Sequence, residues 1–206
     1  MRVVGLMCKA PRPGYAKTRL AASLGAARAA EYAEAFLADS AVLASALGAA
    51  TAFFAPDDGG AEVARLLPPA MRLRPQVPGD LGMRMIAAFA ALFAEGSPAL
   101  LMGTDSPDLP PALLEEAFAA LADHDAAFIP AHDGGYCAVA LRAPAPHLFQ
   151  GIPWSCAETL TATLAAAGEL RIHLTAPWHD IDEAEDLEKL HLAAAPFTRR
   201  VAAPPG

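Results

Sequence analysis

The chain has 206 residues, 54% of them apolar and 18% charged, with a net charge of −8 and a pI near 5.1. That length and apolar content suit a well-buried α/β fold and exclude a disordered chain. The acidic balance argues against general nucleic-acid affinity, which depends on cationic phosphate contacts. No apolar run approaches the ~20 residues of a membrane helix, and the first one is too short for a secretory core. Three distant cysteines, Cys8, Cys137 and Cys156, fit neither a disulfide framework nor a zinc spacing. A reduced, cytoplasmic protein is the expectation.

Residues 3–8, Val-Val-Gly-Leu-Met-Cys, read as a buried first strand. The stretch from Lys9 to Arg19 follows, KAPRPGYAKTR, with four cations (Lys9, Arg12, Lys17, Arg19) and no acid. A basic, Pro/Gly-shaped loop between a first strand and a first helix suits a polyphosphate. It matches neither familiar phosphate loop. Gly14 is its only glycine, Ala16 stands where a P-loop needs glycine before Lys17-Thr18, and Pro11 and Pro13 interrupt the curl of N–H groups. The grip must come from side chains.

Alanine-rich periodicity predicts one or two helices over residues 18–47. A strand at 51–55 closes in the turn Pro56-Asp57-Asp58-Gly59-Gly60, then a helix at 61–67 leads to a strand at 72–76. The loop Pro78-Gly79-Asp80-Leu81-Gly82 precedes a helix over 83–95. A buried strand at 99–103 runs into Thr104-Asp105-Ser106-Pro107-Asp108, and a helix over 112–122 starts after Pro110-Pro111. Strands at 126–130 and 136–141 flank His132-Asp133-Gly134-Gly135 with no helix between them, which predicts an antiparallel pair. A helix over 157–167, a strand at 171–174 and a helix from about 183 to 191 follow. Residues after 195 read as a loose Pro/Ala-rich tail. The alternation predicts a three-layer α/β/α, Rossmann-like sandwich on a mostly parallel mixed sheet, a single domain over 1–195 with a tail at 196–206.

The acids sit where such sheets bind ligands, at strand carboxyl ends. Asp105 suits a Mg²⁺ or Mn²⁺ shared with phosphates, or else an Asx turn before Ser106-Pro107. Asp108 reads as a turn or helix-entry residue. Asp182 has two open readings: a metal ligand, or the cap of the last helix in a capping box with Glu185. Asp180 has no such structural role and stays a candidate ligand. Asp133 is either a hairpin-turn residue or a base facing the cleft, with His132 beside it. No nucleophile elbow or Ser-His-Asp order is present.

In order, Lys9-Ala-Pro-Arg-Pro-Gly14-Tyr-Ala-Lys17-Thr-Arg19-Leu20, Gln76 with Gly79-Asp80-Leu81-Gly82-Met-Arg84-Met85, and Gly103-Thr-Asp105-Ser-Pro107-Asp-Leu109 form the first half of a family pattern. Asp133-Gly134-Gly135-Tyr136, Ile152-Pro-Trp154-Ser155 with Thr159-Leu160, and Asp180-Ile-Asp182 with Glu185-Asp186-Leu187 complete it. The pattern resembles DUF2064, a bacterial family of glycosyltransferases assigned by association with radical-SAM and selenodomain proteins and linked to arsenosugar biosynthesis. The resemblance runs from residue 1 to about 190. It implies the glycosyltransferase-A fold of the nucleotide-diphospho-sugar transferase superfamily, whose more distant kin include guanylyltransferases.

The resemblance further implies a nucleotide site at Lys9, Pro11, Gly14, Lys17, Arg19, Gln76, Gly79, Asp80, Leu81, Gly82 and Arg84, with the glycines admitting a planar base. Lys17 and Arg19 would grip phosphates. Asp105, with Asp180 or Asp182, would hold Mg²⁺ or Mn²⁺. Asp133, Gly134, Gly135, Tyr136, Trp154 and Ser155 would face a small-molecule acceptor, with Asp133 as base. Cys156 and Glu183-Ala184 depart from the pattern, which expects Thr and Thr-Pro there, and the second departure strengthens the cap reading of Asp182. The expected activity is metal-dependent glycosyl transfer from a nucleotide-diphospho-sugar. Four cations on the first loop also suit a nucleotidyltransferase using a triphosphate, and a third reading is a nucleotide-binding module without turnover.

Overall fold

The computed structural model describes residues 1–55 and 59–203. Pro56, Asp57 and Asp58 of the expected turn at 56–60 lie outside the described residues. A seven-stranded sheet organises the chain, in the order β3-β2-β1-β4-β6-β5-β7. Its strands are β1 (Val3–Cys8), β2 (Ala49–Phe54), β3 (Arg72–Pro75), β4 (Ala99–Met102), β5 (Ala126–Pro130), β6 (Tyr136–Leu141) and β7 (Ile172–Leu174). All neighbours pair parallel except at β6, which runs antiparallel to both β4 and β5. The expected antiparallel pair is therefore a single reversed strand wedged between two parallel ones.

Residue alternation along the strands fills two cores. Val4, Leu6 and Cys8 of β1 pack with Leu100, Met102 and Ile129 beneath α2 (Ala26–Leu47), α3 (Gly60–Ala64) and α5 (Pro111–Ala120). Val3, Leu101, Phe128, Val139 and Leu141 face the other way, against α4 (Leu81–Phe93), α6 (Thr159–Ala165) and a 3-10 helix at Pro146–Phe149. The layers make the expected α/β/α sandwich on a mostly parallel sheet. A third cluster joins α1 (Thr18–Leu24) and α2 through Leu20, Tyr32, Phe36 and Ile181. Gly25, at φ 81°, separates those two helices because an L side chain is strained there.

Two expectations are corrected at the C-terminal end. Residues 196–202 are not a loose tail: Pro196–Ala202 forms α7, packed on α2. The cause is Asp39, buried in the middle of α2. Its carboxylate accepts from the backbone N–H groups of Phe197 (3.0 Å) and Thr198 (2.8 Å) and from the Thr198 hydroxyl (2.7 Å), so a distant helix supplies the cap. The segment after Asp182 is a 3-10 helix, Ala184–Lys189, in place of an α-helix reaching 191. Glu183 is its cap and Asp186 its reciprocal partner, so the capping box lies one residue later than Asp182 and Glu185. Asp182 is thereby left for other work.

Candidate active site

The chain of the parallel half runs outward from β1 through β2 to β3, then crosses to β4 on the other side of β1. Loops leaving β1 and β4 therefore diverge, and a crevice opens at their carboxyl ends. A cleft of about 700 Å³ lies there, walled by the first basic loop, the loop after β4, the start of β6 and the segment after β7. That volume suits a nucleotide-sized ligand.

Lys17 is the centre of the cleft's electrostatics. It caps α1 with left-handed backbone angles (φ 51°, ψ 50°), rare for a side-chain-bearing residue and a mark of functional sites. Its Nζ donates to Ile181 O (2.6 Å) and Asp182 Oδ1 (3.0 Å) and is ion-paired with Asp105. It also lies 5.6 Å from the Phe36 ring centre. Burial alone would lower the Lys17 pKa; Asp105 and Asp182 outweigh it and raise the value. Arg19 approaches Asp182 Oδ2 at 3.6 Å. Two carboxylates from separate strand ends thus converge on one cation, and this shows that their oxygens can share a positive centre.

Asp180 stands beside them. Burial raises its pKa, and Asp133, Asp182 and Asp105 raise it further, because a half-buried carboxylate among carboxylates holds its proton more tightly. Asp133 is a turn residue that also faces the cleft. Its Oδ1 accepts the Gly135 N–H (2.8 Å), fixing the turn, and the residue lines the cleft. Gly135, Tyr136, Trp154 and Ser155 also line it, and Ser155 is a second left-handed residue, at φ 60°. Gly134, at φ 94°, sits against Ala157, where a Cβ would come within 2.1 Å of the carbonyl oxygen; its role is packing of the turn.

The nucleotide-site expectation divides. Lys9, Lys17, Arg19, Gln76, Leu81 and Arg84 line the cleft, whereas Pro11, Gly14, Gly79, Asp80 and Gly82 are not among its lining residues. Asp80 caps α4 by accepting the Met83 N–H (2.8 Å). Gly82 is a close-approach glycine, but against protein: a Cβ would lie 2.1 Å from Phe149 O and 3.2 Å from the Trp154 ring. Arg12 bonds Glu62 at 2.7 Å, away from the cleft, so the loop's cations facing the cleft are Lys9, Lys17 and Arg19. Gln76 spends its amide N–H groups on Phe53 O (2.7 Å) and Cys8 O (3.2 Å), which leaves its carbonyl oxygen as the group to present. Arg84 Nε is buried with no hydrogen-bond partner among the described residues.

Asp108 occupies the expected turn, which the Leu109 N–H closes on Ser106 O (3.2 Å), and its carboxylate has further partners. It is buried and accepts from His179 Nε2 (3.0 Å), His191 N (2.8 Å) and Trp178 Nε1 (3.3 Å). Sequence reading also missed Phe36, Cys137 and Cys156 as cleft residues. Burial pushes the Cys137 thiol up to about 12, so it lines the cleft as an unreactive, weakly polar wall. Nothing in the spacing of these residues distinguishes them from ordinary core positions.

The fold is that of the nucleotide-diphospho-sugar transferases. The chain belongs to DUF2064, described as uncharacterized protein conserved in bacteria, whose model matches residues 29–156, more than half of the chain. Among solved structures it is similar to a provisionally assigned nucleotide-diphospho-sugar transferase from Desulfovibrio desulfuricans G20, at 27% identity and a TM-score of 0.85, over 97% of this chain and 94% of that one. Two more distant structures share the fold alone. One is Rv0371C from Mycobacterium tuberculosis H37Rv in complex with manganese (14% identity, TM-score 0.58, 92% and 98% covered). The other is the inositol-1-phosphate CTP transferase from T. maritima (10% identity, TM-score 0.60, 100% and 98% covered). No curated protein matches the chain in sequence. Among the described residues, no helix is long and apolar enough to cross a membrane.

Proposed function

We propose that this chain is a nucleotide-dependent transferase that moves a sugar from a nucleotide-diphospho-sugar to a small-molecule acceptor, with Mg²⁺ or Mn²⁺ in the cleft. The observation that carries this reading is the convergence of Asp105 and Asp182 on the Lys17 ammonium, beside Asp180, at the switch point of the sheet. The donor set fits a hard divalent cation: carboxylate oxygens, two of them on half-exposed side chains that leave room for phosphate and water ligands. Asp105 with Asp182 would hold the ion, and Asp180 adds a third carboxylate whose repulsion a cation would relieve. When bound, the metal supplies charge stabilisation to the departing diphosphate.

The chain's own residues do the rest. Lys17 and Arg19 turn from carboxylates toward phosphate oxygens and stabilise the negative charge that builds on the leaving group. Gln76 and Arg84 line the nucleotide end of the cleft, Gln76 presenting a carbonyl acceptor and Arg84 an unpaired N–H. Asp133, held by the Gly135 N–H, takes the proton from the acceptor hydroxyl as that oxygen attacks the sugar. Tyr136, Trp154 and Ser155 form the acceptor wall.

A second reading, transfer of a nucleotidyl group from a triphosphate to a phosphorylated acceptor, is supported by the shared fold with a CTP transferase. The cation count no longer favours it, since Arg12 faces Glu62. The third reading, a module without turnover, is favoured where the metal acids are turn and cap residues; the cap is Glu183 and not Asp182, which weighs against it. A thermal-shift panel of nucleotide-diphospho-sugars and nucleoside triphosphates, each with and without Mg²⁺ or Mn²⁺, tests the assignment. A metal-dependent rise with one nucleotide-sugar, absent with its parent triphosphate, supports glycosyl transfer. Selective stabilisation by a triphosphate transfers the assignment to nucleotidyl transfer, and no rise with any of them removes both.

A further inference from the structure

The Asp108 carboxylate is enclosed by N–H groups and has no exposed side-chain surface. Its Oδ2 lies 3.0 Å from His179 Nε2, 3.4 Å from His191 Nδ1 and 2.8 Å from the His191 backbone N, while Oδ1 accepts from Trp178 Nε1 at 3.3 Å. Among the described residues no lysine or arginine pairs with it; the side chains around it are two imidazoles and an indole. One carboxylate oxygen and two imidazole nitrogens, all within 4.8 Å of one another, come here from three separate stretches: after β4, after β7 and after the second 3-10 helix.

We propose that Asp108, His179 and His191 form a binding site for a borderline divalent transition ion of the zinc, nickel and cobalt class. Two imidazoles and one carboxylate select such ions, whereas the all-oxygen set of Asp105, Asp180 and Asp182 suits magnesium or manganese. Donors ~2.0–2.2 Å from a tetrahedral ion stand about 3.3–3.6 Å apart. The Asp108–His191 separation already has that value and the Asp108–His179 separation is slightly shorter. His191 is 64% exposed, which gives the ion its entry and the ring the freedom to close the remaining gap. Trp178 orients the other carboxylate oxygen from behind, as outer-shell partners of metal ligands do. On binding, His179 gives up the Nε2 proton to solvent and takes one from solvent at Nδ1, so that the neutral ring coordinates through Nε2 where that proton stood, and His191 coordinates through Nδ1. Water completes the shell. The ion ties His191 to the two loops that carry Asp105 and Asp180–Asp182, loops already linked by the Ser106 hydroxyl donating to His179 O (2.8 Å). Its role is a clasp beneath the cleft.

The test uses the full chain without an affinity tag, stripped by chelator and titrated with Co²⁺ alone, followed by visible absorption and melting temperature. The expected result is one Co²⁺ per chain, with the intense visible bands of an imidazole-ligated ion of low coordination number. At about one hundred times Kd the melting temperature should rise by about 5–10 °C. Zn²⁺ should displace the signal and Mg²⁺ should not. His191→Ala, at an exposed position that leaves the fold intact, should abolish the bands and the shift. The double variant Asp105→Asn/Asp182→Asn should keep both. Bands that survive His191→Ala and vanish in the double variant overturn the proposal by placing the ion in the cleft. Absence of bands and of any shift in the unsubstituted chain overturns it too, leaving the cluster a hydrogen-bond network.

Discussion

Lys17→Met is the most discriminating single change. Methionine keeps the unbranched stem that packs by Phe36 and deletes the charge that Asp105, Asp182 and the Ile181 carbonyl hold. Removing one partner of a fully buried pair costs about 3–5 kcal/mol because the other charge stays unpaired. Here the Lys17 side chain is 8% exposed but Asp105 and Asp182 are 54% and 36% exposed, so both can rehydrate. Solvent screening reduces the loss to about 1–2 kcal/mol, or roughly 2–8 °C in a chain of this size. The effect on ligand is larger. A charge-assisted contact to phosphate is worth about 1.5–3 kcal/mol, so nucleotide affinity should fall about 10- to 150-fold. Calorimetric titration of the best ligand of the thermal-shift panel, in Mg²⁺ at pH 7.5, measures this directly. The pH dependence follows from the raised Lys17 pKa. Its stabilisation is fully present below 10.5 and is lost as pH rises through the higher folded value. The difference in melting temperature between the parent and Lys17→Met should therefore hold steady from pH 7 to 10 and shrink above that. A variant that folds yet binds nucleotide within twofold of the parent would refute the phosphate role and reduce Lys17 to a counter-ion of the acids.

Three further changes test other parts of the structure. Asp180→Asn should raise the melting temperature at pH 7 while weakening Mn²⁺ affinity, because it removes a carboxylate that burial and its acidic neighbours penalise. The raised pKa means that the parent regains this stability as pH falls through it, so the gain should fade on acidification; destabilisation at pH 7 would count against the acidic-cluster reading. Gly82→Ala would gain about 1 kcal/mol from helix propensity alone, but its Cβ would meet the Phe149 carbonyl oxygen at 2.1 Å, backbone that cannot rotate away. A net loss of about 1–3 kcal/mol in urea denaturation is expected, and a net gain would show that the approach relaxes freely. Asp39→Ala deletes three hydrogen bonds to the start of α7 and should cost about 2–3 kcal/mol, with faster proteolysis between 195 and 203. Unchanged proteolysis would mean that α7 holds without its distant cap.

What the sequence disclosed and what it hid divide along a physical line. Patterns set by neighbours in the chain were legible: short apolar strands, the alanine-rich helices, and a basic loop between β1 and α1. Asp105 and Asp180 were legible because strand ends in an α/β sheet are ligand positions whatever the partners are. Hidden were the features fixed by residues far away in sequence. The tail became a helix because Asp39, more than 150 positions earlier, caps it. The turn at Asp108 was legible, but not its carboxylate's partners, His179 and His191, over 70 and 80 positions away. The capping box slipped by one residue because two acids, Glu185 and Asp186, compete for the same N3 geometry. Only the fold shows that Asp186 wins, bonding the N–H groups of both Asp182 and Glu183. That slip has a functional consequence. With Asp186 satisfying its backbone, Asp182 turns its side chain to Lys17 and Arg19, and the carboxylate that local sequence assigned to a helix end becomes part of the charged centre of the cleft.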